Sequence, residues 1–216
     1  MSHRHYYPLF ADLSGRRCVV VGGGAVAHRK VTALIRCGAQ VVVISPTLTA
    51  RLAAMAAAGR VQLAARSFQP SDVRNAWLVI AATSDPAVNA QVSAAAAKAR
   101  IFANVVDDQP LCSFIAPSWV RRGALTIAVS TGGASPTLAK RLRRELAQRL
   151  GPRYTHMVRL LGGLRQPAKR VLPTYQQRQR YFDDVVSGKV FTLVQSGDLR
   201  GARREALELL NRHQGS

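Results

Sequence analysis

The sequence has few of the residues that mark several common protein classes. Its three cysteines are odd in number, and none lie in a C-x-x-C pair, which argues against a disulfide framework and a thiolate zinc site. Aromatic residues make up only 6% of the chain, and no unbroken apolar run is long enough to span a bilayer. Residues 1–7 contain no apolar signal core, so the sequence predicts a cytoplasmic protein with no membrane segment.

Acidic residues are also scarce. The chain carries 31 Lys and Arg against 11 Asp and Glu, a net charge of +20. Between Gln109 and Phe182 only Glu145 opposes the basic side chains. Such a field attracts polyanions, although an arginine-rich solvated surface gives the same excess. With few aromatic residues and no recognition helix, the segment suits a small carboxylate-rich ligand better than nucleic acid, and we expect no nucleic-acid partner.

What the chain does contain is a glycine-rich turn between an apolar strand and a helix, in the stretch RCVVVGGGAVAHRK. Gly22, Gly24 and Ala27 occupy the G-x-G-x-x-G/A positions of a dinucleotide-binding fold. In that fold a pyrophosphate lies at the helix N-terminus, here formed by Ala25, Val26 and Ala27. Similar turns also connect strands to helices without any ligand, so the pattern alone leaves both interpretations open.

Strands and helices alternate over the first half of the chain. Predicted strands at residues 17–22, 39–45, 61–65, 76–83 and 101–106 enclose predicted helices at 25–36, 48–58 and 87–100. This order predicts an α/β domain with a Rossmann-like, doubly wound parallel sheet. Further on, we predict strands at 113–120 and 124–130 around a turn at 121–123. A leucine-striped helix from Ser135, and helices interrupted near 162–163, 173 and 188, complete the chain.

Ligands of an open parallel sheet bind beyond the carboxyl ends of its strands. Besides the glycine turn, the candidate cofactor contacts at those ends are Ser45, Pro46, Thr47, Thr83, Asn104 and Val105. Ser45 occupies the position where an acidic residue usually binds the ribose, and no arginine adjoins it to bind a 2′-phosphate. The sequence therefore favours NAD over NADP.

Asp107 is the candidate catalytic carboxylate. It follows the apolar strand at 101–106, beside the expected nicotinamide end of the cofactor. An aspartate after a strand is also a common turn residue, and the residue pattern does not separate the two roles. The histidines form no metal-ligand pair, and no Ser-His-Asp set is visible.

Four segments together resemble the siroheme synthase N-terminal module family. They are residues 21–30, residues 81–85, residues 104–107 with 113–118, and residues 130–143. Residues 164–186 resemble the helical dimerisation segment of the same family. The resemblance thus covers nearly the whole chain, in matching order and spacing.

The resemblance implies three parts: a dinucleotide-binding domain at 1–112, a dimerisation region at 113–150 and a small helical domain at 151–216. It implies NAD-dependent oxidation of precorrin-2 to sirohydrochlorin, followed in many members by insertion of Fe²⁺, a substrate, to give siroheme. It also implies a homodimer, and it matches Asp107 to the acid–base role and to possible contact with the iron. Longer members continue into a methyltransferase module.

Two other classes of function stay open at this stage. One is a dinucleotide-sensing regulator with the same fold and no chemistry; the other is a basic nucleic-acid-binding protein. Turnover of a tetrapyrrole with NAD would distinguish an enzyme from the regulator and from the nucleic-acid-binding protein. A DNA affinity that falls steeply with salt concentration would indicate the nucleic-acid-binding protein.

Overall fold

A computed structural model describes residues 5–214, and the chain divides into two compact units, Met1–Ala116 and Pro117–Ser216. Residues 1–4, which belong to the segment behind the cytoplasmic prediction, and residues 215–216 lie outside the described part. Within residues 5–214, no helix combines the length and the apolar character needed to cross a membrane.

The first unit is built on a five-stranded parallel sheet. Its strands are β1 (Arg17–Val21), β2 (Gln40–Ile44), β3 (Gln62–Ala64), β4 (Leu78–Ala81) and β5 (Phe102–Val105). The spatial order is β3-β2-β1-β4-β5, with β1 paired to both β2 and β4. The chain thus adds β2 and β3 on one side of β1 and then β4 and β5 on the other side. This reversal at β1 and β4 creates the crevice in which doubly wound sheets bind ligands.

Alternation within the strands explains why the sheet is covered on both faces. In β1, Val19 and Val21 join one apolar cluster, whereas Cys18 and Val20 join the other. Three helices supply the cover: α1 (Ala25–Arg36), α2 (Ala50–Ala57) and α3 (Pro86–Ala99). Helices α1 and α2 pack in the Cys18–Val20 cluster and α3 in the Val19–Val21 cluster. The fold is the Rossmann-like one predicted.

The second unit contains an antiparallel hairpin and five helices. Its elements are β6 (Ser118–Arg122), β7 (Leu125–Val129), α4 (Pro136–Arg149), α5 (Pro152–Val171), α6 (Tyr175–Ser187), α7 (Lys189–Ser196) and α8 (Leu199–Gln214). Helices α5 to α8 enclose one apolar cluster around Tyr181, whose phenol donates to the Ala206 carbonyl at 3.0 Å. This part is the helical region that the sequence predicts.

Three local predictions are wrong. Helix α5 runs through Gly162 and Gly163 without a break. Two glycines cost a helix about 2 kcal/mol, and burial of Met157, Leu164 and Ala168 on its inner face opposes this cost.

The strand predicted at 113–120 starts only at Ser118. Residues 113 and 114 both donate their N–H groups to the Ala103 carbonyl, which is not a ladder pattern, and Pro117 has no N–H to donate. Arg121 and Arg122, placed in the turn by the sequence, instead pair with Thr126 and Leu125 of β7.

Candidate functional site

The glycine turn after β1 is closely packed against two neighbouring loops. Gly22 has φ +120°, and a Cβ there would meet the Ala82 carbonyl oxygen and lie 2.8 Å from the Ala82 carbonyl carbon. A Cβ on Gly23 would overlap the Thr47 carbonyl oxygen and lie 2.8 Å from Ser45 Oγ. Both glycines are therefore required by the contacts of the protein with itself.

Gly24 differs from these two glycines. A Cβ built on it meets no atom within 4 Å. Gly24 is also the N-cap of α1, where no side chain among the described residues caps the helix. The first-turn N–H groups of Ala25, Val26 and Ala27 have no intrahelical carbonyl to bond, and the helix dipole makes this end positive. An open backbone with unused donors suits an approaching pyrophosphate.

The first turn of α1 has a buried side that packs on the sheet and an outer side that faces solvent. Ala27 is fully buried in the apolar cluster beneath α1, so its small side chain sets how closely the helix packs on the sheet. Val26 is half-buried and Ala25 is exposed, which leaves the outer side of the turn accessible.

The loop after β2 brings Ser45, Pro46 and Thr47 beside the glycine turn. The Ser45 hydroxyl is buried and donates to the Thr47 carbonyl at 2.7 Å. Thr49 N–H donates to the Gly23 carbonyl at 2.9 Å, which ties the two loops together. Ser45 is thus occupied with shaping the loop, whereas Pro46 and Thr47 are exposed at its surface.

Thr83 lies in the loop between β4 and α3. Its hydroxyl donates to Asn89 Oδ1 at 2.9 Å and accepts from Asp85 N–H at 3.2 Å. Asp85 caps α3 by accepting from Ala87 N–H at 2.8 Å, and Pro86 follows at the first helical position, as the sequence predicts. The interaction of Thr83 with this cap holds the loop over the β4 end of the crevice.

Asn104 and Val105 close β5 and belong to a buried polar network. The Asn104 carboxamide donates to the Phe114 carbonyl at 3.1 Å and to Cys112 Sγ at 3.6 Å. Val105 N–H donates to the same sulfur at 3.1 Å. These two residues therefore fix the end of the strand that leads into Asp107.

Asp107 stands at the tip of the turn after β5. Its backbone is left-handed, with φ +61°, and its side chain is exposed. No side chain among the described residues forms an ion pair with it. The carboxylate is thus accessible at the same sheet edge as the glycine turn, because the carboxyl ends of parallel strands share one edge.

Lys30 is a candidate site residue that the sequence reading passes over. It is half-buried on α1, and its Nζ donates to Asn104 Oδ1 at 3.5 Å. Burial lowers the pKa of its ammonium, and the neighbouring Arg29 lowers it further, whereas Cys112 and Asp107 act in the opposite direction. Its position three residues after buried Ala27, on the face toward the sheet, is a helical-spacing signal that could have identified it.

Metal ligands do not cluster in this region. Within residues 5–214, no group of three or more His, Cys, Asp or Glu side chains could hold a metal ion.

Comparison with known proteins assigns most of the chain. Residues 9–118 match a family model described as putative NAD(P)-binding. Residues 122–149 match the sirohaem biosynthesis protein central model, and residues 153–210 match the sirohaem synthase dimerisation region.

Curated relatives and a solved structure agree with these matches. Siroheme synthase 2 of Yersinia pestis (strain Pestoides F) is 44% identical over 200 residues, which cover 93% of this chain and 42% of that one. Siroheme synthase of Mannheimia succiniciproducens is 38% identical over 98% of this chain and 44% of its own. The solved structure of SirC, precorrin-2 dehydrogenase, is 26% identical with a TM-score of 0.74, covering 96% of this chain and 100% of that one.

The chain spans less than half the length of the curated relatives it matches. The three family models nevertheless follow one another along it in order, and the parallel sheet, the hairpin region and the helical part correspond to them in turn. On this evidence the chain belongs to the siroheme synthase N-terminal module family.

Proposed function

We propose that this chain oxidises precorrin-2 to sirohydrochlorin with NAD and then inserts Fe²⁺ to give siroheme. The observation that carries the proposal is the shared sheet edge: the open backbone of Gly24 and the exposed carboxylate of Asp107 follow β1 and β5 of one parallel sheet. The names of the relatives supply the tetrapyrrole class of substrate.

The residues at the β1 end fit NAD. Gly22 and Gly23 make the tight turn, and Gly24 leaves room for the pyrophosphate at the α1 N-terminus. Pro46 and Thr47 are exposed where the ribose would lie. Arg66 is engaged in a bidentate contact with Asp72, at 2.6 and 2.9 Å, so it is not available for a 2′-phosphate. When bound, NAD supplies the acceptor for a hydride.

Asp107 takes the proton in this proposal. Oxidation of precorrin-2 by hydride removal also requires loss of a proton, and the carboxylate at the tip of the turn accepts it. Metal insertion requires the pyrrole N–H protons to leave as Fe²⁺ enters. The same carboxylate can accept one of them or contact the incoming ion, so one residue serves both reactions.

In this proposal the second unit provides the positive charge that attracts the substrate and the surface through which two copies of the chain associate. Its arginines provide a field that concentrates a carboxylate-rich tetrapyrrole. Leu138 and Leu142 are exposed on α4, and the match to a dimerisation region over residues 153–210 supports a homodimer. The proposed location is the cytoplasm, and neither nucleic acid nor membrane is a proposed partner.

The test is anaerobic incubation of the chain with precorrin-2 and NAD, with and without Fe²⁺, followed in the visible spectrum. Conversion to the sirohydrochlorin spectrum only when NAD is present supports the dehydrogenase, and a further change on adding Fe²⁺ supports the chelatase. NAD binding without any spectral change would identify a dinucleotide sensor and overturn the enzymatic proposal.

A further inference from the structure

The turn that carries Asp107 has an unusual backbone. Non-glycine residues rarely adopt positive φ, and such a conformation persists when the surrounding contacts impose it. Asp107 is one of three non-glycine residues with positive φ in the described chain, at +61°. The ordinary turn contact across it, from Asp108 N–H to the Val105 carbonyl, is long at 3.4 Å. Other contacts must therefore hold the turn in place.

The Cys112 thiol makes those contacts. Its sulfur accepts from Val105 N–H at 3.1 Å, on the strand side of the turn. The thiol lies 3.2 Å from the Val105 carbonyl and 3.2 Å from the Asp108 carbonyl, and its one proton can be donated to either. One buried sulfur thus bonds both ends of the turn and leaves Asp107 projecting between them.

Helix α1 is connected to this sulfur through Asn104. Asn104 Nδ2 donates to Cys112 Sγ at 3.6 Å, and Lys30 Nζ donates to Asn104 Oδ1 at 3.5 Å. The chain of contacts runs from the helix that begins at the glycine turn to the turn that carries Asp107. Rigid support of this kind sets how accurately a catalytic group is placed.

From these contacts we infer that Cys112 is a positioning residue for Asp107: its thiol fixes the turn and so places the carboxylate for proton transfer. This inference rests on the proposed role of Asp107. Cys112 does not touch the substrate. Its effect should appear in the rate of the chemical step and not in the binding of NAD, whose proposed contacts lie at the glycine turn and the loop after β2.

The experiment compares Cys112→Ala, Cys112→Ser and Cys18→Ala with the unmodified chain. Cys18 is the matched control because it is also buried in the same unit, in β1, and its partners in the sheet, Val41 and Leu78, lie outside the Asp107 turn. For each protein we would measure kcat and KM with precorrin-2, the Kd for NAD, the unfolding midpoint, and the backbone amide chemical shifts of residues 105–108.

We expect Cys112→Ala to lower kcat roughly 10- to 100-fold with unchanged KM and NAD affinity, because a displacement of about 1 Å at a catalytic group has an effect of this size. Cys112→Ser should recover part of the rate, since its hydroxyl keeps a donor and an acceptor. Cys18→Ala should lose stability and keep its rate. The amide shifts of residues 105–108 should change in Cys112→Ala and not in Cys18→Ala.

Other outcomes separate the inference from the proposal beneath it. Equal kcat values for Cys112→Ala and Cys18→Ala, with Asp107→Asn inactive, would overturn the positioning role alone. An active Asp107→Asn variant would remove the proposed role of Asp107 and the inference with it. If the unmodified chain oxidises no precorrin-2, unchanged amide shifts in Cys112→Ala would still refute the claim that the thiol holds the turn.

Discussion

Single residues in the glycine turn have separable functions, although the sequence presents them as one motif. Gly22 and Gly23 are surrounded by backbone atoms of the loops after β4 and β2, whereas Gly24 opens onto free space. A side chain at Gly24 therefore leaves the fold unaffected and occupies the space where a pyrophosphate would lie.

We predict that Gly24→Asp abolishes measurable NAD binding and does not lower the unfolding midpoint: the new carboxylate repels the phosphates and occupies the free N–H groups of α1, and its Cβ meets no atom within 4 Å. Calorimetric titration with NAD checks the binding. Gly151→Asp is the matched control, because Gly151 is also a helix N-cap whose added Cβ would meet nothing within 4 Å. Unchanged NAD affinity in Gly24→Asp would contradict the assignment of the cofactor site.

Asp107→Asn is the second prediction at this scale. The substitution is nearly isosteric, and the amide cannot accept a proton at neutral pH, so we expect both reactions to slow by about 10²–10⁴-fold. NAD affinity, measured by calorimetry, should stay the same. Asp108→Asn is the neighbouring control and should retain its rates. Loss of oxidation with intact metal insertion would show that two groups, and not one, perform the proton transfers.

Among the elements, a short 3-10 turn at Pro70–Val73 depends on one ion pair. Asp72 is buried and accepts from Nη1 and Nη2 of Arg66 and from Gln69 N–H at 2.8 Å. The hydrogen bonds from Arg66, followed by the one from Gln69, lower the pKa of Asp72 below its ordinary value despite its burial. A carboxyl with a lowered folded-state pKa stabilises the protein above its unfolded pKa, and this stabilisation disappears as pH falls through the folded value.

We therefore predict that Asp72→Asn lowers the free energy of unfolding at pH 7 by about 1–3 kcal/mol. The difference from the unmodified chain should begin to shrink below about pH 4, where the carboxyl of the unfolded chain takes up a proton, and should disappear once the pH falls through the lowered folded-state pKa. Urea unfolding at several pH values measures this. Glu208→Gln, at an exposed position on α8, should show no such pH-dependent difference. A constant difference down to pH 2 would argue against the ion pair as the cause.

Most elements could be predicted from sequence because their signals are local. The capping pair Asp85-Pro86 and the boundaries of α1 lie within a few residues of the structures they determine. The continuity of α5 through Gly162 and Gly163 could not be predicted, since it depends on packing against helices distant in sequence. The contacts of Lys30 with Asn104 and of Cys112 with Val105 could not be predicted for the same reason, because these residues come together only in the folded sheet.

For the molecule as a whole, the two exposed leucines of α4 bear on how many copies of the chain assemble. Leu138 and Leu142 are 46% and 36% exposed, and the chain matches a dimerisation region downstream. Two apolar side chains one helical turn apart are poor candidates for a solvated face, especially on so basic a helix. A second copy of the chain would cover them.

We predict a dimeric mass in light scattering at physiological salt and micromolar concentration. The double variant Leu138→Glu and Leu142→Glu should shift the mass toward the monomer, because burial of two carboxylates at an interface is unfavourable. Thr137→Glu with Gln148→Glu changes the charge equally at exposed positions of the same helix and should stay dimeric. A monomeric mass for the unmodified chain would refute the proposal.

The division of labour within the glycine turn also matters for recognising distant relatives. A descendant that lost its dinucleotide but kept this fold would still need glycine at positions 22 and 23, since the backbone of Ala82 and Thr47 leaves no room for a side chain. Only position 24 could accept other residues. Conservation of glycine at positions 22 and 23 thus indicates only that a relative has the same fold. Glycine at position 24 is the one that indicates whether the relative still binds a dinucleotide.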